Sequence, residues 1–312
     1  MSASSPTDKR SNEKLLHLLT GATSGLLADS IMHPIDTIRV RLQVEKVGQN
    51  KYKGGTFSVF RSIVKNEGVS YLYKGLPIVA VATVPAHGLY FFGYEYFKGK
   101  IQQHYGDSAG QSSMTHFVAG NIANLMGSIV WVPMDIIKQR LQVQSDTAKS
   151  HPNQTFYRGS FHAAKVIFKE EGVRGFFRGF LPTLYIYGPY VGIYFSFYEK
   201  AKQIGKRYID FNNDDNKYIS LAFQLTNGFM AGSLAAAITC PLDVVKTRIQ
   251  VQRLGDERLY TGMLDGFKTI LKEEGLSAFV KGMGARVLWL APGSALTIAA
   301  YEQLKSFFGK FI

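Results

Sequence analysis

Three acid–base motifs recur along the chain, and together they could form a ring of ion pairs. Each motif has a proline, an acid two residues later, a base three residues after the acid, and a glutamine seven residues after the acid. The copies are Pro34, Asp36, Arg39 and Gln43, then Pro133, Asp135, Lys138 and Gln142, then Pro241, Asp243, Lys246 and Gln250. Three similar hairpins packed about one axis would point these charges at one another. We call this arrangement the proline-motif ring, and it would close one end of a cavity.

A second acid–base motif also occurs three times, always after the first. In this tyrosine motif a glutamate directly follows a tyrosine, and a lysine comes three residues after the glutamate. The copies are Tyr94, Glu95 and Lys98, then Tyr198, Glu199 and Lys202, then Tyr301, Glu302 and Lys305. An acid and a base three residues apart lie on one face of a helix. The two motifs therefore alternate along the chain as parts of one repeated unit.

Long apolar runs must position these motifs. Five runs of 18 to 25 residues contain no Asp, Glu, His, Lys or Arg apart from His87 and Arg286, and a sixth run is interrupted by His17 and Asp29. The six runs are Leu15–Met32, Leu76–Tyr94, Phe117–Met134, Phe180–Tyr198, Tyr218–Leu242 and Met283–Tyr301. A helix of about 20 such residues crosses about 30 Å of hydrocarbon. Proline kinks helices, and we expect bends because every run contains a proline of a threefold set or ends within two residues of one.

A short amphipathic stretch separates the two runs of each repeat. It is followed by a Glu-Gly pair and, seven residues after that glycine, by a second glycine preceded by a base. These second glycines are Gly75, Gly179 and Gly282. The pattern divides the chain into repeats at 13–105, 112–206 and 216–310. For the short polar segment 1–12 we expect disorder.

Composition narrows the function classes. The net charge of +13 suits anionic lipid surfaces or anionic solutes. The bases are spread through the repeats rather than gathered with aromatic residues, so we expect no nucleic-acid partner. A single cysteine, Cys240, excludes an intramolecular disulfide and a cysteine-based zinc site. The sequence contains no nucleophile–base constellation, nucleotide loop or metal cluster, so we expect neither an enzyme nor a metal site.

The motifs resemble those of the mitochondrial carrier family, the solute carrier family 25 type, over roughly residues 13 to 310. The resemblance rests on Pro-x-Asp-x-x-Lys/Arg-x-Arg and on Glu-Gly-x-x-x-x-aromatic-Lys/Arg-Gly, and only the aromatic at Phe279 is displaced by one position. It implies an all-α membrane protein with six transmembrane helices, threefold pseudo-symmetry and short matrix helices. It also implies a monomeric, multi-pass protein of the mitochondrial inner membrane that works by alternating access on a small-molecule solute. Cardiolipin is the expected bound lipid, and no other cofactor is expected.

The resemblance also implies two gates. In the matrix gate, Asp36 would pair with Lys138, Asp135 with Lys246 and Asp243 with Arg39, braced by Gln43, Gln142 and Gln250. In the cytoplasmic gate, Glu95 would pair with Lys202, Glu199 with Lys305 and Glu302 with Lys98, braced by Tyr94, Tyr198 and Tyr301.

The solute should meet side chains between the two gates. Our candidates are Asp29, His87, Tyr90, Tyr187, Tyr190, Arg286 and Ser294. Ionisable residues inside a membrane are costly and point to function, so Asp29 and Arg286 suggest a zwitterion. The alternative is that these two pair with each other or with neighbouring groups. His87 could equally serve helix packing.

Hints about the solute conflict. Asp29 followed by Pro34-Ile35-Asp36-Thr37-Ile38 resembles S-adenosylmethionine carriers, whereas Pro85-Ala86-His87-Gly88-Leu89-Tyr90-Phe91 resembles mitoferrins. The sequence favours an amino-acid-like or S-adenosylmethionine-like solute. Iron transport of the mitoferrin kind is the second interpretation, and a dissipative proton pathway through Asp29 and His87 is the third.

Overall fold

The computed structural model describes residues 6–46, 54–106, 112–144, 156–208, 217–253 and 260–308, and in these ranges it contains helices and no strands. Two short 3₁₀ helices, Val69–Tyr73 and Leu276–Val280, lie just before the second long helix of repeats one and three. The α-helices are α1 Pro6–Val44, α2 Gly55–Asn66, α3 Leu76–Tyr105, α4 Ser113–Val143, α5 Ser160–Phe176, α6 Phe180–Gly205, α7 Lys217–Ile238, α8 Cys240–Val251, α9 Met263–Glu274 and α10 Met283–Phe308.

The long helices form a closed ring. The most extensive helix contacts join neighbouring repeats: α3 packs on α4, α6 on α7, and α10 returns to α1. This cyclic order gives the bundle its threefold character. The short helices α2, α5 and α9 lie beside the proline motifs, where each makes a small apolar core with its own repeat.

The chain is an all-α membrane protein, as predicted. By length and apolar composition alone, the described segments Val69–Tyr105 and Met114–Val143 could cross a membrane, and the bent pair Ala222–Ile238 with Cys240–Val251 could be a third span. The helix α1 is more polar along its length. In α1, Asp36 and Arg39 are buried inside the protein rather than exposed on its surface, so this polarity belongs to the interior of the bundle.

A glycine turns the chain at each Glu-Gly pair: Gly68 and Gly275 follow the ends of α2 and α9, and Gly172 forms a kink within α5. Gly68, Gly172 and Gly275 have φ values of +94°, +63° and +76°. L-residues with a side chain rarely adopt this conformation, so glycine is the residue that allows the turn there. The turn leaves the preceding glutamate beside the proline motif of its own repeat.

The helix boundaries differ from the sequence pattern at two places. We expected disorder over residues 1–12; in the structure α1 begins at Pro6, and residues 1–5 lie outside the described part of the chain. Proline is favoured at the first position of a helix because its missing N–H needs no partner there.

The prolines also do not act alike. Pro34 and Pro133 lie within the uninterrupted helices α1 and α4. The third repeat differs, because its first span is divided at Thr239 and its two parts, α7 and α8, meet at an angle of 62°. The predicted run Tyr218–Leu242 is therefore two helices with Pro241 at the start of the second.

Candidate functional site

The proline-motif ring is closed by ion pairs between repeats. Lys138 Nζ lies 3.1 Å from Asp36, Lys246 Nζ 3.4 Å from Asp135, and Arg39 Nη1 2.9 Å from Asp243. These are the three pairings that the family resemblance implies. Arg39 and Lys138 also contact the acids of their own motifs, Asp36 at 2.8 Å and Asp135 at 3.2 Å. The six charges thus form a continuous network across the bundle.

Two of the three glutamines brace this network. Gln43 donates to Asp243 at 2.8 Å, and Gln142 donates to Asp36 at 3.2 Å. Gln250 does not, since neither polar atom of its fully buried amide has a hydrogen-bond partner among the described protein groups. The expected brace of the Asp135–Lys246 pair is therefore wrong. Gln250 instead packs against Gly179, which leaves no room there for a side chain.

A second tier of arginine–glutamate pairs lies beside the ring. The second base of each proline motif binds the glutamate of its own Glu-Gly pair through both terminal nitrogens: Arg41 with Glu67, Arg140 with Glu171, and Arg248 with Glu274. The Nε of each arginine donates to the backbone carbonyl of a ring glutamine in the neighbouring repeat, Gln142, Gln250 and Gln43 respectively. Each arginine therefore ties its own short helix to the next repeat.

A cavity of about 290 Å³ lies directly on the ring. Its lining includes the ring residues Asp36, Asp135 and Lys138, together with Asp29, His33, Trp131 and Trp289. A smaller space of about 160 Å³ shares Asp29 and Trp289 with it and continues toward Thr297. Asp29 therefore borders both spaces.

Asp29 is the acid of this cavity that the ring does not use. Across the residues that the structure describes, its carboxylate takes part in no hydrogen bond and in no ion pair within 4 Å. Trp131 provides an aromatic wall, packed edge-on against His87 at 5.6 Å and tilted against Tyr90 at 6.0 Å between ring centroids. This cavity can accept a group with positive charge and apolar surface.

The structure places Arg286 elsewhere than we expected. Its Nε lies 3.3 Å from Asp243, its Nη1 donates to the carbonyl of Ala236 at 3.1 Å, and only 4% of the residue is exposed. Arg286 thus belongs to the proline-motif ring and is not a free base for a solute. It pairs with a neighbouring acid because Asp243 lies at the start of α8, within reach of α10.

The remaining candidates for contact with the solute are His87, Tyr187, Tyr190 and Ser294. His87 is engaged through Nδ1 with the carbonyl of Thr83 at 2.8 Å, which favours a packing role. Tyr187 is 37% exposed, and Tyr190 stacks on Tyr194 at 6.5 Å. The side chain of Ser294 lies outside the described part of the structure.

The tyrosine motifs form no ring of ion pairs among the described side chains. Glu95, Glu199 and Lys202 have no ion pair within 4 Å there, and Lys98 lies over the ring of Tyr94 at 5.7 Å. Tyr94 bonds His116 at 2.6 Å instead of bracing a pair. The side chains of Glu302 and Lys305 are not described. Ion pairs close the bundle at the proline motifs. At the tyrosine motifs the described charged side chains form no ion pairs with one another.

Trp131 and His33 are among the cavity residues that sequence reasoning missed. Trp131 lies two residues before Pro133 in an apolar run, where its size alone made it indistinguishable from a lipid-facing residue. His33 directly precedes Pro34, is 2% exposed, and contacts the carbonyl of Lys74 at 2.9 Å. The sequence signal for His33 was its position directly before the proline of the first motif.

Comparison with known proteins identifies the repeats. The family model described as mitochondrial carrier protein matches residues 11–105, 110–208 and 218–311. Mitochondrial substrate carrier family protein E of Dictyostelium discoideum is 62% identical over 305 residues, which cover 98% of this chain and 100% of that protein. Its name specifies no solute.

More distant relatives carry names that state a solute or a cargo. Mitoferrin of Dictyostelium discoideum is 34% identical, with 95% of this chain and 94% of that protein covered. The mitochondrial adenine nucleotide transporter ADNT1 of Arabidopsis thaliana is 30% identical, with 94% and 86% covered. At this similarity the family is shared, and the names differ in what is carried.

Proposed function

Because the chain belongs to the mitochondrial carrier family, we propose that it carries an amino-acid-like or S-adenosylmethionine-like solute across the mitochondrial inner membrane by alternating access. As a member of that family it is a multi-pass mitochondrial membrane protein and a transporter of small-molecule solutes rather than an enzyme. The kind of solute, the inner membrane as the location and the two gates are what we propose.

The unpaired carboxylate of Asp29 is the observation that carries the choice of solute. A charged group inside a membrane protein is retained at a cost that function must justify. In this cavity the acids that belong to the ring form ion pairs, whereas Asp29 forms no hydrogen bond and no ion pair within 4 Å among the described residues. A cationic group of the solute, such as an ammonium or a sulfonium, would supply the missing charge, and Trp131 would cover its apolar part.

The anionic part of such a solute would meet Lys138. Lys138 lines the same cavity as Asp29 and lies between Asp36 and Asp135. A carboxylate that approached its ammonium would compete with both acids and would weaken the ring. Shifting a closed gate from 99% to 1% takes about 5.5 kcal/mol of differential binding, and the loss of buried charge contacts of about 3–5 kcal/mol each is of that size. Solute binding would thus promote opening of the gate beneath it.

We propose that the closed proline-motif ring is the matrix gate and that the tyrosine motifs form the cytoplasmic gate, here apart. Three ion pairs joined in one network support closure at the first end. The absence of ion pairs for Glu95, Glu199 and Lys202 among the described side chains supports access from the other. In this assignment the structure corresponds to the state that receives solute from the cytoplasmic side.

We propose further that the protein acts as a monomer and that cardiolipin binds where neighbouring repeats meet. The N-terminal ends of α2, α5 and α9 begin at glycines or directly after them. Free backbone N–H groups at helix starts suit lipid phosphates. Adding cardiolipin to delipidated protein should raise its melting temperature more than phosphatidylcholine does, and equal effects would contradict this assignment.

Exchange of radiolabelled amino acids and S-adenosylmethionine by the reconstituted protein tests the proposed solute. Asp29→Asn should abolish uptake of the accepted solute without lowering the melting temperature. Asp265→Asn makes the same chemical change on the exposed surface of α9 and should leave uptake intact. Undiminished uptake by Asp29→Asn would exclude Asp29 from the binding site.

Iron transport is the second candidate because a mitoferrin is among the relatives. The cavity offers Asp29 and His33, but in the described part of the chain no group of three or more His, Cys, Asp or Glu side chains could hold a metal ion. If liposomes that contain the protein take up Fe²⁺ and do not exchange amino acids, iron transport would be favoured. Collapse of a pH gradient without any solute would favour the dissipative proton pathway instead.

A further inference from the structure

Arg286 joins three helices of the third repeat, α7, α8 and α10. Its Nε contacts Asp243 at the start of α8, and Nη1 donates to the carbonyl of Ala236 near the end of α7. The last carbonyls of a helix have no partner within that helix, and the carbonyl of Ala236 lies in the last turn of α7. Arg286 therefore bridges both sides of the bend at Thr239 from a third helix, α10.

Only the third repeat has a base at this position. Arg286 is the fourth residue after Gly282, and the corresponding residues after Gly75 and Gly179 are Val79 and Thr183. Only the third repeat also has a divided first span, with a bend of 62°. The additional base and the bend occur together.

The additional base makes the corners of the ring unequal. One oxygen of Asp243 receives Arg39 at 2.9 Å, Gln43 at 2.8 Å and Arg286 at 3.3 Å. Asp135 is held by two lysines and by no glutamine, and 20% of its side chain is exposed. Asp36 also has three donor residues, Arg39, Lys138 and Gln142. Asp243 differs because one of its donors, Arg286, comes from outside the proline motifs.

We propose that Arg286 is a positioning residue that holds the bend between α7 and α8 and thereby keeps Asp243 in the closed ring. The effect of Arg286 on transport rests on the proposed gating function, but the bridge that Arg286 makes across the bend does not. Opening of this corner requires the guanidinium to leave Asp243. Without Arg286 the bend would lose its bridge, and Asp243 would lose one of its hydrogen-bond donors. The closed ring would therefore open more often.

Cys240 provides a reporter for this movement. It is the only cysteine of the chain, it is fully buried, and it lies at the bend between Thr239 and Pro241. In purified protein without solute, Arg286→Gln should speed alkylation of Cys240 by N-ethylmaleimide about tenfold, equivalent to about 1.4 kcal/mol of easier opening. Arg174→Gln, on an exposed position of α5, is the matched control and should leave the rate unchanged.

A double-variant comparison separates the clamp from a general loss of stability. If Arg286 acts through Asp243, Arg286→Gln should add little to the alkylation rate of an Asp243→Asn protein. Equal acceleration in both backgrounds would overturn the proposal. If Arg286→Gln does not fold, the alkylation rate of Arg286→Lys is measured instead. One ammonium cannot reproduce two separate donor directions, so its rate should exceed that of the wild type, and a wild-type rate would also overturn the proposal. Because no solute is present, these results stand apart from the Asp29 experiment.

Discussion

Lys138 lies within hydrogen-bonding distance of Asp36, with Nζ 3.1 Å from Oδ2, and so ties the second repeat to the first. Both side chains are nearly inaccessible, with 9% and 3% exposed. The same ammonium contacts Asp135 at 3.2 Å. A single lysine thus bridges two acids from different repeats at the floor of the cavity.

Replacing this lysine should weaken closure of the ring. Lys138→Ala leaves Asp36 and Asp135 close together without the cation between them, and loss of one partner of a buried pair costs about 3–5 kcal/mol. We expect a lower melting temperature in detergent and exchange kinetics that differ from the wild type. Lys169→Ala, at an exposed position of α5, is the control. Wild-type melting and exchange in Lys138→Ala would contradict the ring assignment.

The second tier should respond as a coupled pair. Arg140 and Glu171 have 0% and 1% of their side chains exposed, so either one alone would be a buried charge. We expect Arg140→Met and Glu171→Met each to destabilise the protein by about 3–5 kcal/mol. The double variant should cost clearly less than the sum, because no unpaired charge of this pair remains. Melting temperatures of the four proteins measure this coupling, and strictly additive losses would show that the pair is not coupled.

A ring of charges could be predicted because spacing and repetition place the acids and bases of the three motifs together. Acids and bases at equal offsets from three prolines must meet at the same depth once the repeats pack about one axis. The resemblance then supplied which repeat pairs with which. The helix pairs α3–α4, α6–α7 and α10–α1 follow from the same cyclic order.

The departures from threefold symmetry could not be predicted in this way. Whether Arg286 points to the cavity or to Asp243 depends on how far α8 turns away from α7, and a repeat pattern contains no such angle. Gln250 has the same offset as Gln43 and Gln142, yet its amide lies against Gly179 and not beside an acid. Local packing decides both cases.

Gly75 should not tolerate a side chain. Its φ is +90°, and a Cβ there would lie 2.9 Å from Cγ and 3.0 Å from Cα of Lys138. Gly75→Ala therefore combines an unfavourable backbone conformation, about 1–2 kcal/mol, with a clash against the ring. Gly88→Ala adds the same methyl to α3, where nothing lies within 4 Å, and should be neutral or stabilising because alanine favours helices. Equal melting temperatures for the two variants would contradict this difference.

Gln43 and Gln250 occupy the same place in their repeats but should differ in what their loss costs. Gln43 donates to Asp243 at 2.8 Å and accepts a bond from Thr247 at 2.9 Å. Gln43→Met removes both bonds. Asp243 keeps Arg39 and Arg286, but the buried hydroxyl of Thr247 loses its acceptor, which costs about 1–3 kcal/mol.

Gln250→Met removes no hydrogen bond to a described protein group and exchanges a buried amide for an apolar side chain of similar length. We therefore expect it to leave the melting temperature unchanged or to raise it, because burying a polar group without a partner is unfavourable. The pair of variants forms its own control, since the chemical change is identical. If both lower the melting temperature equally, Gln250 must brace the Asp135–Lys246 corner after all, and the ring would be more symmetric than its contacts indicate.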